Sequence, residues 1–158
     1  MSGEIGLSID DGKRIMTMLQ ELVVKQELAT YAHARRVCPD CECLRPVKDY
    51  TMRKIRTVFG TVEVKNPRWM LCQRCFPHIC MAFTVLNEIC PDQATPELME
   101  LTARLGSMLP YRKAAELLAE FLPIEATEGH ETARKRTLTV GARLEKQSLR
   151  GRSWKIRQ

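Results

Sequence analysis

The chain has 158 residues, 44% of them hydrophobic, which excludes global disorder and allows one compact domain or two small ones. Its net charge of +6 favours an acidic partner such as nucleic acid, although a soluble protein can be basic without one. The longest charge-free run, Cys75 to Asn87, is far short of the roughly 18 apolar residues of a membrane span, and the N-terminus lacks the basic-then-apolar order of a secretory signal, so a cytoplasmic protein is expected.

In chain order, Ser8 and Asp11 form an N-cap pair ahead of a helical pattern. Ile15, Leu19, Leu22 and Val23 recur at helical spacing, and Met18, Ala29 and Ala32 extend their apolar face. One long helix is predicted from about Asp10 to Arg36, its face packed on its own domain or on a partner helix. From Met52 to Met70 the period changes to two, with Ile55 and Thr57 alternating with Lys54 and Arg56, and Val62 and Val64 with Glu63 and Lys65. This predicts a hairpin turning at Gly60, with Pro67 at a strand edge or bulge. Phe76 to Cys90 is apolar without a clear period. Thr95-Pro96 opens a second helix with Leu98, Leu101, Leu105, Met108 and Leu109 as its buried stripe, and Pro110 closes it. A third runs from Tyr111 to Leu122 with Ala114, Ala115, Leu117, Leu118 and Phe121 inward. The last, from about Gly129 to Leu149, turns Ala133, Thr137, Val140 and Leu144 inward, and Gly151 to Gln158 reads as a frayed basic tail. The expected fold is α+β: an N-terminal helix (1–36), a zinc-ribbon β domain built on the hairpin (37–90), a small helix-turn-helix-like bundle (91–150) and the tail (151–158).

Seven cysteines without a secretory signal point to metal binding rather than disulfides. Cys38-Pro39-Asp40-Cys41 and Cys72-Gln73-Arg74-Cys75 are two Cys-x-x-Cys pairs with the hairpin between them. Two intervening residues let one tight turn aim both sulfurs at one ion, and two such turns complete a tetrahedron around a structural Zn²⁺. Cys43 could replace Cys41, and His78 could compete as a ligand; Cys80 and Cys90 read as core thiols. A redox Cys-x-x-Cys would sit between a strand and a helix in a βαβ unit, whereas here there are two pairs and each borders the hairpin. Arg74, Arg45 and Lys48 are placed to offset the charge of four thiolates.

Charge is arranged in blocks, with net values of −2 for residues 1–30, +6 for 31–75, −5 for 76–130 and +7 for 131–158. Clustered cations bind phosphate more strongly than the average charge suggests. In the ribbon the candidate DNA contacts are Lys54, Arg56, Lys65 and Arg68. In the last helix they are Arg134, Lys135, Arg136 and Arg143, with the first three where a recognition helix meets bases. The same run also fits a solvated face of an ordinary bundle. His33, His78 and His130 are scattered, no nucleophile–base constellation is evident, and no catalytic site is expected.

Four stretches carry a resemblance: Cys38-Pro39-Asp40-Cys41, Arg56 to Val64, Leu109 to Leu118 (with Pro110-Tyr111-Arg112-Lys113) and His130 to Glu145. In this order they resemble the N-terminal portion of the ISKra-type bacterial insertion-sequence transposases, over roughly residues 10–150. The resemblance implies a part that binds double-stranded DNA at the element's ends, near the nucleoid. It also implies zinc on the two cysteine pairs, His130–Glu145 as recognition helix, and an RNase H-like catalytic domain beyond this sequence. The chain then reads as a truncated or split transposase, partnered by a second copy or by a separate catalytic chain. Two other readings share its residues: a free-standing regulator of transposition, and a protein-interaction module dimerising through the first helix. Glu42 departs from the pattern, since ribbons often carry Gly there, and the tail matches nothing in the family.

Overall fold

A computed structural model describes residues 6–124 and 128–155, with side chains up to Leu149. The chain folds as two compact units, Met1–Thr95 and Pro96–Gln158. Among the described residues the architecture is mixed: a long N-terminal helix, a small antiparallel sheet of three strands, and further helices. No helix among them is long and apolar enough to cross a membrane.

The first unit opens with α1 (Ile9–Arg36), 28 residues and about 42 Å long. Ser8 caps it as expected. Its hydroxyl accepts from the Asp11 amide at 3.1 Å, and the Asp11 carboxylate reaches back to the Ser8 amide at 3.4 Å, a reciprocal capping box. Only Leu28 and Ala32 of α1 are buried, with Val24 and Tyr31 packed beside them. The stripe Ile15, Leu19, Leu22 and Val23, expected to pack on its own domain or on a partner helix, is exposed. Periodicity picked out this stripe and missed the face on the other side of the helix, with Leu28 at its centre, that is buried.

Strands β1 (Val47–Thr57) and β2 (Gly60–Met70) form the predicted hairpin, pairing from Thr57–Gly60 to Val47–Trp69. Gly60 takes φ 110°, the conformation that made it the turn signal. The Thr57 hydroxyl locks the turn, donating to the Gly60 carbonyl at 2.8 Å and accepting from the Phe59 amide at 3.1 Å. A short β3 (Ala82–Thr84) pairs with the far end of β2, leading into α2 (Val85–Ile89). Both lie in the stretch that showed no period, because elements this short give periodicity too few residues to register. Pro67 sits in β2 opposite Tyr50, one residue before the β3 pairing begins, so its missing amide costs no bond to β3. One core unites Leu28 and Ala32 of α1, Ile55, Val62, Val64 and Trp69 of the hairpin, and Val85, Leu86 and Cys90. Buried Asn66 accepts from the Leu86 amide at 3.3 Å, tying α2 to the sheet. α1 is tied to α2 by Arg35, whose Nε and Nη2 both donate to Glu88 at 2.7 Å while the Tyr31 hydroxyl donates to the same carboxylate at 3.1 Å.

The second unit holds α3 (Pro96–Met108), α4 (Tyr111–Phe121) and α5 (His130–Lys155). Leu109-Pro110 alone separates α3 from α4. The Thr95 hydroxyl expected to cap α3 has no partner, its backbone amide being drawn to the Arg56 carbonyl at 2.8 Å. The buried face of α3 is Leu98, Met99, Thr102 and Ala103, whereas Met108 is exposed and Leu109 partly so. α4 buries Ala114 and Leu118 but leaves Phe121 exposed; α5 buries Ala133 and leaves Leu144 exposed. Thr102, Ala103, Ala114 and Ala133 are small residues among the larger buried ones, and α5 packs on both other helices. Gly106 marks the tightest approach, since a Cβ there would collide with the Thr137 hydroxyl, which donates to the Ala133 carbonyl at 2.8 Å. α5 also runs on to Lys155, through Gly151–Lys155 of the expected tail; the last three residues lie outside the described residues.

Gly106→Ala therefore separates α3 from α5 or displaces Thr137, at an expected cost of about 1–3 kcal/mol. Thermal unfolding monitored by circular dichroism checks this, with Gly141→Ala, which meets open space within α5 and should not destabilise, as the control.

Candidate metal centre

The two cysteine pairs occupy the loops that flank the hairpin, one between α1 and β1, the other between β2 and β3. The hairpin register joins them. The Met70 amide donates to the Pro46 carbonyl at 2.9 Å, so the ladder continues to within five residues of Cys41 and two of Cys72. Each pair is wrapped by the same turn: the Glu42 amide donates to the Cys38 carbonyl at 3.0 Å, and the Phe76 amide to the Cys72 carbonyl at 2.8 Å. Glu42 takes φ 58°, the left-handed conformation for which Gly is the ordinary choice, so the departure noted in the sequence carries real strain.

The sulfurs of Cys38, Cys41, Cys72 and Cys75 all lie within 4.8 Å of one another and could hold a metal ion. Cys38 and Cys75 are 3.8 Å apart and Cys41 and Cys72 3.4 Å. Metal–sulfur bonds of ~2.3 Å in a tetrahedron require edges of roughly 3.8 Å, so the cluster has the dimensions of such a site. Cys38 and Cys72 are buried, and Cys41 and Cys75 half-buried.

The electrostatics point the same way. The Asp40 amide, helped by that of Cys41, holds the Cys38 thiol below its ordinary range. The Cys75 amide, then the Cys41 sulfur, bring Cys72 down to about 7. Cys41 receives the Cys43 amide and Cys75 the Cys41 sulfur, each a lowering influence, yet burial and the neighbouring sulfurs push both thiols up. Four thiolates this close repel one another, and a divalent cation is what lets all four ionise together. The amides aimed at the sulfurs and the all-thiol donor set fit a soft, tetrahedral ion.

Cys43 and His78 are outside this cluster. Cys43 accepts from Arg74 Nη1 at 3.5 Å, and His78 is exposed on the loop beyond Cys75. Arg74 thus stands beside the thiols as expected, its guanidinium held in the charged form by Cys43 first and by the charges of Cys41 and Cys75. Arg45 does not: it is buried, donates to the Arg35 carbonyl at 3.0 Å and lies 5.0 Å from the Phe83 ring centre. Lys48 is exposed on β1. Cys90 is the core thiol expected, but Cys80 is exposed.

The candidate DNA contacts divide. Cross-strand partners share a face, so the pairs Met52–Lys65, Lys54–Glu63 and Arg56–Thr61 put Lys54, Arg56 and Lys65 together on the face opposite Ile55 and Val62. Lys54 is 3.3 Å from Glu63, and Lys65 Nζ lies 4.4 Å over the Tyr50 ring. Arg68 falls on the other face, where its guanidinium forks onto Asp49, lowering that carboxyl. On α5, Arg134 and Lys135 are exposed, with Arg134 3.7 Å from Glu131, and Arg143 is exposed farther along. Arg136 is not available: it is 7% exposed and donates through both Nη atoms to Glu128, at 2.6 and 2.8 Å. Its role is internal. Glu128 was missed because it precedes α5, eight residues from Arg136, where no helical period links them.

No known family model matches the chain, and none of the curated proteins is detectably similar to it in sequence.

Two outcomes follow. Cys72→Ser abolishes stoichiometric Zn²⁺ uptake, measured by elemental analysis after dialysis, and lowers the melting temperature, whereas Cys43→Ser leaves both unchanged. Arg136→Ala, which strands Glu128 in a buried site, destabilises the protein by about 3–5 kcal/mol in denaturant unfolding, while Arg134→Ala stays within ~0.5 kcal/mol of the parent.

Proposed function

We propose that this chain is a DNA-binding module that recognises the ends of an insertion sequence, as the N-terminal part of a transposase. Zinc on Cys38, Cys41, Cys72 and Cys75 is structural in this reading. Four thiolates close its coordination sphere and leave no position for a substrate, and the small sheet gains from the metal what its core is too small to supply. The transposition chemistry belongs to a catalytic domain outside this sequence.

The observation that carries the reading is the start of α5, where Arg134 and Lys135 are exposed while Arg136 is fixed by Glu128. A recognition helix needs this combination: cations presented outward at its N-terminal end and a rigid attachment beneath them. Lys54, Arg56 and Lys65 on one face of the hairpin add phosphate contacts. The three-helix unit acts in the manner of a helix-turn-helix, with α5 as the reading helix. The link from Leu122 to Gly129 before α5 is longer than the usual 3–4-residue turn, so the variant is an extended one.

Fluorescence-anisotropy titration of the zinc-loaded protein tests this, with duplexes from an insertion-sequence end and scrambled duplexes at low and physiological salt. The expected result is tighter binding to the end duplex, a steep loss of affinity with salt, and loss of the preference in an Arg134→Ala, Lys135→Ala variant. Absence of binding to either duplex at low salt would falsify the proposal.

A further inference from the structure

The N-terminal half of α1 carries an apolar surface that its own unit leaves open. Ile15, Met16, Met18, Leu19, Leu22 and Val23 are each between 36% and 68% exposed. At 100° per residue, Ile15, Leu19 and Leu22 fall within about 60° of one another, and roughly 120–180° round the helix from Leu28. The helix therefore has two apolar faces: Val24, Leu28, Tyr31 and Ala32 against its own sheet, and the Ile15–Leu22 stripe pointing away from it. The six side chains expose on the order of 500 Å² of surface, above the ~400 Å² beyond which an apolar patch marks an interaction site.

We propose that this stripe pairs, antiparallel, with the same stripe of a second copy of the chain. The charges select this occupant and direction. Along one edge of the stripe lie Asp11 and Lys25, four turns apart and of opposite sign. In an antiparallel pair centred near residue 17, Ile15 of each helix packs on Leu19 of the other, and Leu22 lies over Gly12, whose lack of a side chain admits it. Asp11 of each helix then faces Lys25 of the other. Met18 meets Met18 on the same edge, and Ile9 meets Val23 on the opposite one. A parallel pair brings no opposite charges together, since Asp11 then flanks Met16 and Lys25 flanks Thr30. Within its own chain Asp11 caps Ser8 and pairs with Arg14, and Lys25 contacts Glu21 at 2.5 Å; the partner's charges would add to these exposed pairs. Because the two faces of α1 are opposed, the sheet of each copy lies outside the helix pair.

Sedimentation equilibrium of the full-length zinc-loaded protein without DNA tests this independently of DNA binding. The expected result is a dimer that dissociates on dilution. Leu19→Glu should raise its dissociation constant on the order of 100-fold, since two apolar contacts per dimer are lost, while the helical circular-dichroism signal and zinc content stay unchanged. Asp11→Lys and Lys25→Glu should each weaken the dimer and together restore it; loss of the Asp11 cap is common to the single and the double variant, so recovery reports the pairing itself. A monomer at 100 µM, or a dimer indifferent to Leu19→Glu, would overturn the proposal. A dimer lost with Leu19→Glu but not recovered by the double charge reversal would overturn the antiparallel register.

Discussion

Four thiols within 4.8 Å of one another cannot all ionise unless a cation lies among them, and the fold of the first unit is what brings the four together. The two cysteine pairs are 30 residues apart, too far for any local turn to unite them. The antiparallel register of β1 and β2 does so, running without slippage from the Gly60 turn to Arg68 and, after one irregularity near Val47, on to Trp69. A one-residue slip in that ladder would send Ile55 and Val62 to the solvent face, so core packing and sulfur convergence are satisfied by the same alignment. At Glu42 this geometry is held against backbone preference.

Much of this was legible because it was local. Ser8 and Asp11 announced a helix start, Gly60 a hairpin turn, and the two Cys-x-x-Cys pairs a metal site, each through chemistry confined to four residues or fewer. The structure places the cap and the turn as read and brings the four cysteines within reach of one ion. Relations between distant residues were illegible. The stripe on α1 has the period of a buried face, and periodicity is blind to whether the covering surface belongs to the same chain. Arg136 looked like its neighbours Arg134 and Lys135, and only the approach of Glu128 from outside the helix distinguishes it. Arg68 and Lys65 likewise read alike, until Asp49 across the strand claims one of them. The segment 76–90 hid β3 and α2 because each is five residues or fewer.

A basic protein must divide its cations between holding itself together and meeting a partner. Here the division follows burial. Arg35 is bound to Glu88, Arg36 lies 5.6 Å over Trp69, Arg45 is spent on the end of α1 and Phe83, and Arg68 is forked onto Asp49. Arginine suits these positions because its planar fork bonds carboxylates and stacks on rings while its charge never titrates. Lysines, by contrast, stand at exposed positions: Lys48, Lys54, Lys65 and Lys135 all do. A count of cations taken from the sequence therefore overstates how many the surface offers an anion.

The Glu128–Arg136 pair sets the rotational phase of α5. Each residue turns the helix by 100°, so with Arg136 pinned to a carboxylate outside the helix, Lys135 and Arg134 stand 100° and 200° away, on the side that cannot be buried with it. Adding or removing one residue between Glu128 and Arg136 would swing every later side chain by the same 100°, carrying Ala133 out of the core or a charged neighbour into it. Length changes before Glu128 impose no such rotation. The distance from that glutamate to that arginine is thus a ruler, and the composition of the chain ahead of it is free to vary while the spacing it measures is not.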